Sequence, residues 1–521
     1  MDQPSFSLAV IFGDSMVLQR NQPVKLWGEC TKAQTLRVFI DDREVAGARV
    51  RQGKWKLVLP AMEASQSIEI SIQGEGEGDA ITFHDVAVGE VWIAGGQSNM
   101  EFPLEYDAEA KQVIPAANNA DIRFYDCPKI KFPGQELEDD FSQAGFWRPL
   151  TPANAQFYSA VGFYFANQIY EHLQVPVGIV GCNWGGTTAS TWLGEHDLEE
   201  DEALSVYCRE YQASLEKINL KAYDMAERIE RQAGKDPVRV QFFRSIMKNT
   251  PGRLIYPFCT AYFKLISNNS LPFGPRDHNR PGGLYHNMVQ KIAGYTARGV
   301  IWYQGETDNT KPELYARLFA AVIRCWRRDW EADLPFVFVQ LAPFERWMGL
   351  PAISYPILRE QQELVSKTVP GTYMASIMDS GLEWDVHPKH KRVVGERLAL
   401  LARARVYGED VLCDPPEATD FRCADGRLTI SFANAGDGLH LNGEKLQSLE
   451  VFADGSEVKQ FSASVDQNDV VVDLEGIQAV KELEVRLAFR NFALINLYNS
   501  YGLPAKPFRR TIQLADTSSD Q

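Results

Sequence analysis

No apolar run in this 521-residue chain approaches the roughly 20 residues that a membrane-spanning helix needs. Blocks of lysine and arginine are also missing, and 53 basic residues against 69 acidic ones leave a formal net charge of -16. That balance argues against a nucleic-acid-binding surface. The eight cysteines, at 30, 127, 182, 208, 259, 325, 413 and 423, contain no C-x-x-C pair. Their scatter favours neither a zinc site nor a disulfide framework, a Cys413–Cys423 bridge being a minor alternative. The opening M-D-Q-P-S-F-S-L-A-V-I-F puts an acid and a proline where a leader would carry positive charge. As written, the chain reads as soluble and unexported, and it would read the same had a leader for the periplasm or secretion been removed. Histidine is scarce as well, with only eight in the chain.

What is present is ordinary globular material, 45% hydrophobic and 23% charged, long enough for two to four domains. Residues 1–88 read as short strands and turns, most simply a small β-sandwich. From 89 to 407 apolar strand segments such as W-I-A-G-G, V-G-I-V-G, G-V-I-W-Y-Q-G and F-V-F-V-Q-L alternate with long helical stretches. That alternation predicts an α/β domain with a mostly parallel sheet sandwiched by helices. A charged helical insertion is expected near 194–245. Strand texture returns over 408–512 as a second β module, and a polar tail fills 513–521.

The segment V-W-I-A-G-G-Q-S-N-M, from Val91 to Met100, carries most of the chemical information. Its apolar half predicts a strand, and its glycines allow a sharp turn at the carboxyl end, where α/β sheets place reacting groups. Ser98 stands at that turn between Gln97 and Asn99. A nucleophilic serine needs a base within about 3 Å and a third group to orient that base. His84, His172, His196 and His440 lie in a strand-like run, charged helices or a turn of the last module, and read as surface or satisfied residues. His278 and His286 are nearer the α/β core, and His286 serves either to line a pocket or to pack a helix start. His387 stands apart: it follows Asp385 by two residues in D-V-H-P, ahead of a helix opened by P-K-H-K. In extended backbone those two side chains share a face, so Asp385 is expected to hold Nδ1–H while Nε2 meets Ser98. His390 is the rival base.

Oxyanion donors are expected at other strand tips. The Ser98 N–H, a Gly185 or Gly186 N–H from C-N-W-G-G-T, and the Gln304 amide from W-Y-Q-G-E form one such set. Gly13-Asp14-Ser15 imitates a hydrolase opening but sits in β texture, so Ser15 reads as edge or interdomain structure. Glu306, Asp308, Asp379, Glu383 and Asp385 offer a different chemistry, that of a glycosidase or a metal site. A glycosidase needs two carboxyls facing across a sugar, and it leaves Ser98 and the D-x-H-P pair without a purpose. A non-catalytic sugar-binding protein is the third reading.

Taken together, F-G-D-S-M-V-L-Q-R, V-W-I-A-G-G-Q-S-N-M, C-N-W-G-G-T, G-V-I-W-Y-Q-G-E-T-D, D-V-H-P-K-H-K-R-V-V-G-E-R-L-A and the late N-L-Y-N-S-Y-G-L-P-A-K-P-F-R-R make the chain resemble the sialate O-acetylesterase family. That family is a branch of the SGNH hydrolases, and the matching blocks span essentially the whole chain in order. The resemblance implies an SGNH-like α/β core flanked by β modules, with Ser98 as nucleophile, His387 as base and Asp385 as its partner. It also implies oxyanion donors at Ser98, Gly185 or Gly186, and Gln304. No cofactor and no metal are implied, and the substrate is a small O-acetylated sugar or oligosaccharide, notably 9-O-acetylated sialic acid. Neutral acetylated plant polysaccharide fragments such as xylan are the alternative. Gln97, Asn99, Trp184, Tyr303, Glu306, Arg276 and His286 are the candidate substrate contacts, Arg276 as a guanidinium for a sugar carboxylate. Oligomeric state stays open.

Overall fold

One 17-residue strand, Ala80–Gly96, joins the first β module to the central sheet. Its first half pairs antiparallel with Ser65–Gln73, while Val17–Gln19 runs parallel to residues 87–89. Its second half is flanked by parallel strands, Val177–Asn183 on one side and Gly299–Tyr303 on the other. Burial changes with the role: residues 80–85 are mostly exposed or half-buried, whereas every residue from Val86 to Gly96 is buried. The change of texture near 88 therefore falls inside a strand, not at a linker. The computed structural model describes residues 4–249, 256–267, 271–424, 426–474 and 480–514.

Across the central sheet the order is Trp147–Leu150, Asn119–Asp126, Val177–Asn183, Ala80–Gly96, Gly299–Tyr303, Phe336–Val339 and Thr372–Ala375. All neighbours are parallel except the antiparallel edge strand Trp147–Leu150. Short apolar runs with both faces covered are what a buried parallel sheet requires. Helix Tyr315–Trp330 covers it with an apolar stripe, stacking Phe319 on Trp302 at 5.5 Å between ring centroids and setting Trp326 edge-on to the same indole. Helices Ala160–Leu173 and Lys391–Arg405 pack against one another. They cross closely at Gly395, where a Cβ would lie 2.5 Å from the Tyr164 Cβ and 2.8 Å from the Val161 carbonyl.

Glu90 sits in the middle of the long strand and is fully buried. Its carboxylate accepts from Arg20 Nε at 2.6 Å and Arg298 Nε at 2.8 Å, with the Tyr407 hydroxyl at 3.1 Å. Burial pushes its pKa up, but the two guanidiniums outweigh burial and leave it below the ordinary value. Glu90→Ala would strand two cations in this crowded junction. The expected cost is about 3–5 kcal/mol, read as a lower chemical-denaturation midpoint. The wild-type contribution should be present above the ordinary carboxylate range and disappear as pH falls through the lowered value.

Helices Glu195–Glu199, Ser205–Leu215, Leu220–Ala233, Pro237–Lys248 and Tyr256–Ser267 follow one another between strands Val177–Asn183 and Gly299–Tyr303. The C-terminal module folds two four-stranded antiparallel sheets around its own core of Leu428, Ile430, Val451, Val472 and Val485. Cys413 and Cys423 are both free thiols, which removes the bridge considered between them. Strand Phe508–Gln513 ends the described module, and residues 515–521 of the tail lie outside the described residues. Among the described residues no helix is long and apolar enough to cross a membrane.

Candidate active site

The long central strand ends in a turn that only glycine can make here. Gly96 has φ +129°, and a Cβ on it would lie 2.2 Å from the Tyr303 carbonyl. The chain then enters the short helix Ser98–Glu101. Ser98 is its first residue, so its N–H has no partner within the helix. Ser98 Oγ lies 2.9 Å from His387 Nε2. Both line a cavity of about 560 Å³, a size suited to a small ligand. Phe243 and Met247 of the inserted helix Pro237–Lys248 line it together with Trp347, Leu350, Ile353 and Tyr355.

His387 is buried, with Phe102 roughly parallel to its ring and Trp347 perpendicular to it at 5.1 Å. Burial pulls its pKa below the ordinary imidazole value, and Asp385 opposes that only in part. The neutral ring, the form a base needs, is thereby favoured. The local backbone is not the extended segment expected for D-V-H. Asp385 Oδ1 accepts the backbone N–H of His387 at 2.9 Å, an Asx turn, while the ring Nδ1 stands 3.4 Å away. The other oxygen, Oδ2, faces Lys389 Nζ at 2.8 Å. Asp385 shapes the loop first and orients the ring second. His390 is exposed at the cap of helix Lys391–Arg405.

The remaining expected donors are arranged less simply. Gly185 approaches Ser98, since a Cβ on it would sit 3.1 Å from the Ser98 Cβ. Its N–H is donated to Glu101 Oε2 at 2.6 Å, and Glu101 also pairs with Lys129. Gly186 lines the cavity, and its carbonyl is braced by Asn279 Nδ2 at 2.8 Å. The Gln304 amide is wholly buried and does not line the cavity. Its Nε2 faces Asp308 Oδ2 at 2.5 Å, the Thr187 carbonyl at 3.0 Å and Gln97 Oε1 at 3.2 Å. Two amide hydrogens already have three acceptors there, so Gln304 braces Gln97 and is not aimed at a ligand.

Of the expected substrate contacts, Gln97 and Glu306 line the cavity beside Ser98. Tyr303 is buried in its strand, and Trp184 stacks on His278 at 5.5 Å next to the glycine turn. His286 is paired with Glu195 at 2.6 Å and Arg276 with Asp224, Glu227 and Glu138; neither lines this cavity. Arg276 is also stacked on Phe132, so its charge is already balanced. Ser15 is half-buried, at φ 59°, with its hydroxyl on Asp85. Glu306 is the one carboxyl among the described lining residues, whereas Asp308 is buried on Gln304 and Asp379 is chelated by Arg397. No two carboxyls therefore face each other across the cavity as a glycosidase would need. Among the described residues no group of three potential metal ligands occurs.

Burial raises Glu306 to about 7 and lowers Lys391 to about 7, with the Asn99 amide between them. Lys389, Lys391, Glu101 and Trp347 were not singled out from the sequence. The two lysines stand four and six positions after Asp385, a spacing that also suits the solvent-facing start of a helix.

Comparison with known proteins gives the chain's relationships. A family model described as carbohydrate esterase, sialic acid-specific acetylesterase matches residues 275–400. Sialate O-acetylesterase from Rattus norvegicus is 27% identical over 435 residues, covering 78% of this chain and 74% of that protein. The Homo sapiens protein of the same name is 25% identical, covering 82% and 76%. A solved carbohydrate acetylesterase from Xanthomonas citri is 29% identical, with a TM-score of 0.73, covering 97% of this chain and 99% of that one.

The chain is related in sequence and fold to the sialate O-acetylesterase-like carbohydrate esterases. That relationship supports ester hydrolysis on acetylated carbohydrates and gives the glycosidase reading no support. Within a sialate O-acetylesterase-like fold, the matched segment 275–400 contains both the Q-G-E turn at Gln304 and the D-V-H-P loop of His387.

Proposed function

We propose that Ser98 is the nucleophile and His387 the base of a sugar O-acetyl esterase. The supporting observation is the 2.9 Å contact between Ser98 Oγ and His387 Nε2 at the wall of the cavity. Neutral His387 takes the hydroxyl proton as Oγ bonds to the acetyl carbonyl carbon. The oxyanion forms against the Ser98 N–H and the Gly185–Gly186 turn, where the Gly185 N–H must exchange Glu101 for it. On collapse the bond between the acetyl carbon and the sugar oxygen breaks, and the imidazolium gives its proton to the departing sugar oxygen. Water, deprotonated by the same ring, then cleaves the acetyl-enzyme and releases acetate.

Asp385→Asn is expected to lower kcat by about tenfold, far less than loss of the base, because its Oδ1 is held mainly by a backbone N–H. Steady-state rates of both variants on a chromogenic acetate ester decide this, and equal losses would make Asp385 a full partner of the ring.

The sugar is proposed to be sialic acid acetylated at O9, supported by the names of the mammalian relatives. A 9-O-acetyl group ends a flexible three-carbon chain, so it can enter an apolar cavity while the distant C1 carboxylate stays outside. A second reading, a neutral acetylated sugar such as a xylan fragment, is favoured by the absence of lysine and arginine among the described lining residues and by the balanced charge of Arg276. Higher kcat/KM on 9-O-acetyl sialic acid than on an acetylated xylo-oligosaccharide is the expected result. The reverse order would move the assignment to neutral sugars and leave the chemistry intact. The acetate-ester rate should also survive EDTA and fall as the acyl chain lengthens.

A further inference from the structure

Asn99 follows the nucleophile in sequence, yet it is 1% exposed and out of reach of a substrate. Its Nδ2 donates to Glu306 Oε1 at 2.5 Å and to the Val386 carbonyl at 3.0 Å. Its Oδ1 accepts from Lys391 Nζ at 2.5 Å. These partners belong to three elements: the turn after strand Gly299–Tyr303, the loop just before His387, and the first residue of helix Lys391–Arg405. Asn99 itself sits in the helix that carries Ser98. The amide has one workable orientation. Turned over, it would set its NH2 against the Lys391 amine and its oxygen against the Val386 carbonyl and the Glu306 carboxyl, losing three hydrogen bonds at once.

We infer that Asn99 is a positioning residue that holds the Ser98 hydroxyl in register with the His387 imidazole; the inference rests on the Ser98–His387 reading above. Val386 is covalently joined to His387 and Asn99 to Ser98. The bond from Asn99 to the Val386 carbonyl is thus a crosslink between the backbones of base and nucleophile, one residue away from each. Glu306 and Lys391 fix the amide from either side, so the crosslink cannot swing. A drift of about 1 Å in that register would open the 2.9 Å contact beyond hydrogen-bonding distance. Displacements of that size cost on the order of 10²-fold in rate. Aspartate at 99 would keep the shape and the Lys391 partner but turn both donors into acceptors facing acceptors.

The test is a double-mutant cycle in the full chain, with kcat, KM and melting temperature measured on a chromogenic acetate ester for wild type, Asn99→Ala, His387→Ala and the double variant. Asn99→Ala should lower kcat by about 30- to 100-fold with KM within about threefold. In the His387→Ala background the same substitution should change kcat by less than about threefold, because no base remains to be misplaced. An equal cost in both backgrounds, which a packing role would give, overturns the inference while His387 keeps its role. If His387→Ala itself retains wild-type kcat, the Ser98–His387 reading fails and the inference fails with it. Should Asn99→Ala not fold, Asn99→Asp goes through the same cycle and must show the same loss only where His387 is present.

Discussion

Ser98→Ala should remove turnover of an acetate ester by about 10⁴-fold or more, the largest effect expected of any single substitution in the chain. The substitution removes one oxygen from the cavity wall and no backbone contact, so the turn should stay intact. The melting temperature should stay close to wild type, which separates lost chemistry from lost fold. A serine-directed phosphonate adds an independent reading, since it reports which hydroxyl is activated. Peptide mapping should find it on Ser98, whose hydroxyl faces an imidazole nitrogen at 2.9 Å. Ser15 should stay unlabelled, because its hydroxyl is bonded to the Asp85 carboxylate and not to an imidazole. Label on Ser15 alone, or full activity in Ser98→Ala, would sink the nucleophile assignment.

The three-part β, α/β, β architecture was legible because each part writes a different hydrophobic period. Alternating residues mark the half-solvated strands of the outer modules, and runs such as Val300–Tyr303 mark strands covered on both faces. The strand Ala80–Gly96 escaped that reading for the same reason. It changes period halfway, because its first half faces solvent on one side and its second half is the middle of a parallel sheet. A change of texture looks like a boundary even where the backbone runs straight on.

Ser98 and His387 could be singled out because each stands in a local pattern with its own physical motive, a glycine turn after a strand and a carboxylate two residues from a histidine. The partners that complete the site could not. Phe243 and Met247 come from a helix of the charged insertion, and they meet the cavity only through tertiary packing. Lys391 reads as a solvent-facing residue at the start of a helix, yet it is fully buried against Asn99, and that contact depends on how two distant segments meet. Arg276 and His286 illustrate the opposite difficulty. Proximity in sequence to a Pro/Gly-rich loop suggested the site, but nearby carboxylates, invisible in a linear reading, had already taken their charge.

His387→Ala should lower kcat by about 10²- to 10⁴-fold, and its pH dependence should identify the ring as the base. In wild type the active form carries a free Nε2 lone pair facing Ser98 Oγ. Protonation as pH falls removes that lone pair, so kcat/KM must decline toward acid. The midpoint should lie below the ordinary imidazole value of about 6.5, since burial lowers the pKa of His387 and Asp385 restores only part of the shift. Asp385→Asn should move the acid limb further down by removing the carboxylate that favours the charged ring. His387→Ala should abolish the limb and leave a slow, nearly flat residual rate. His390→Ala should change neither rate nor profile, because that ring is exposed at a helix cap and outside the cavity lining. If His390→Ala removes the acid limb and His387→Ala keeps it, the base has been assigned to the wrong histidine.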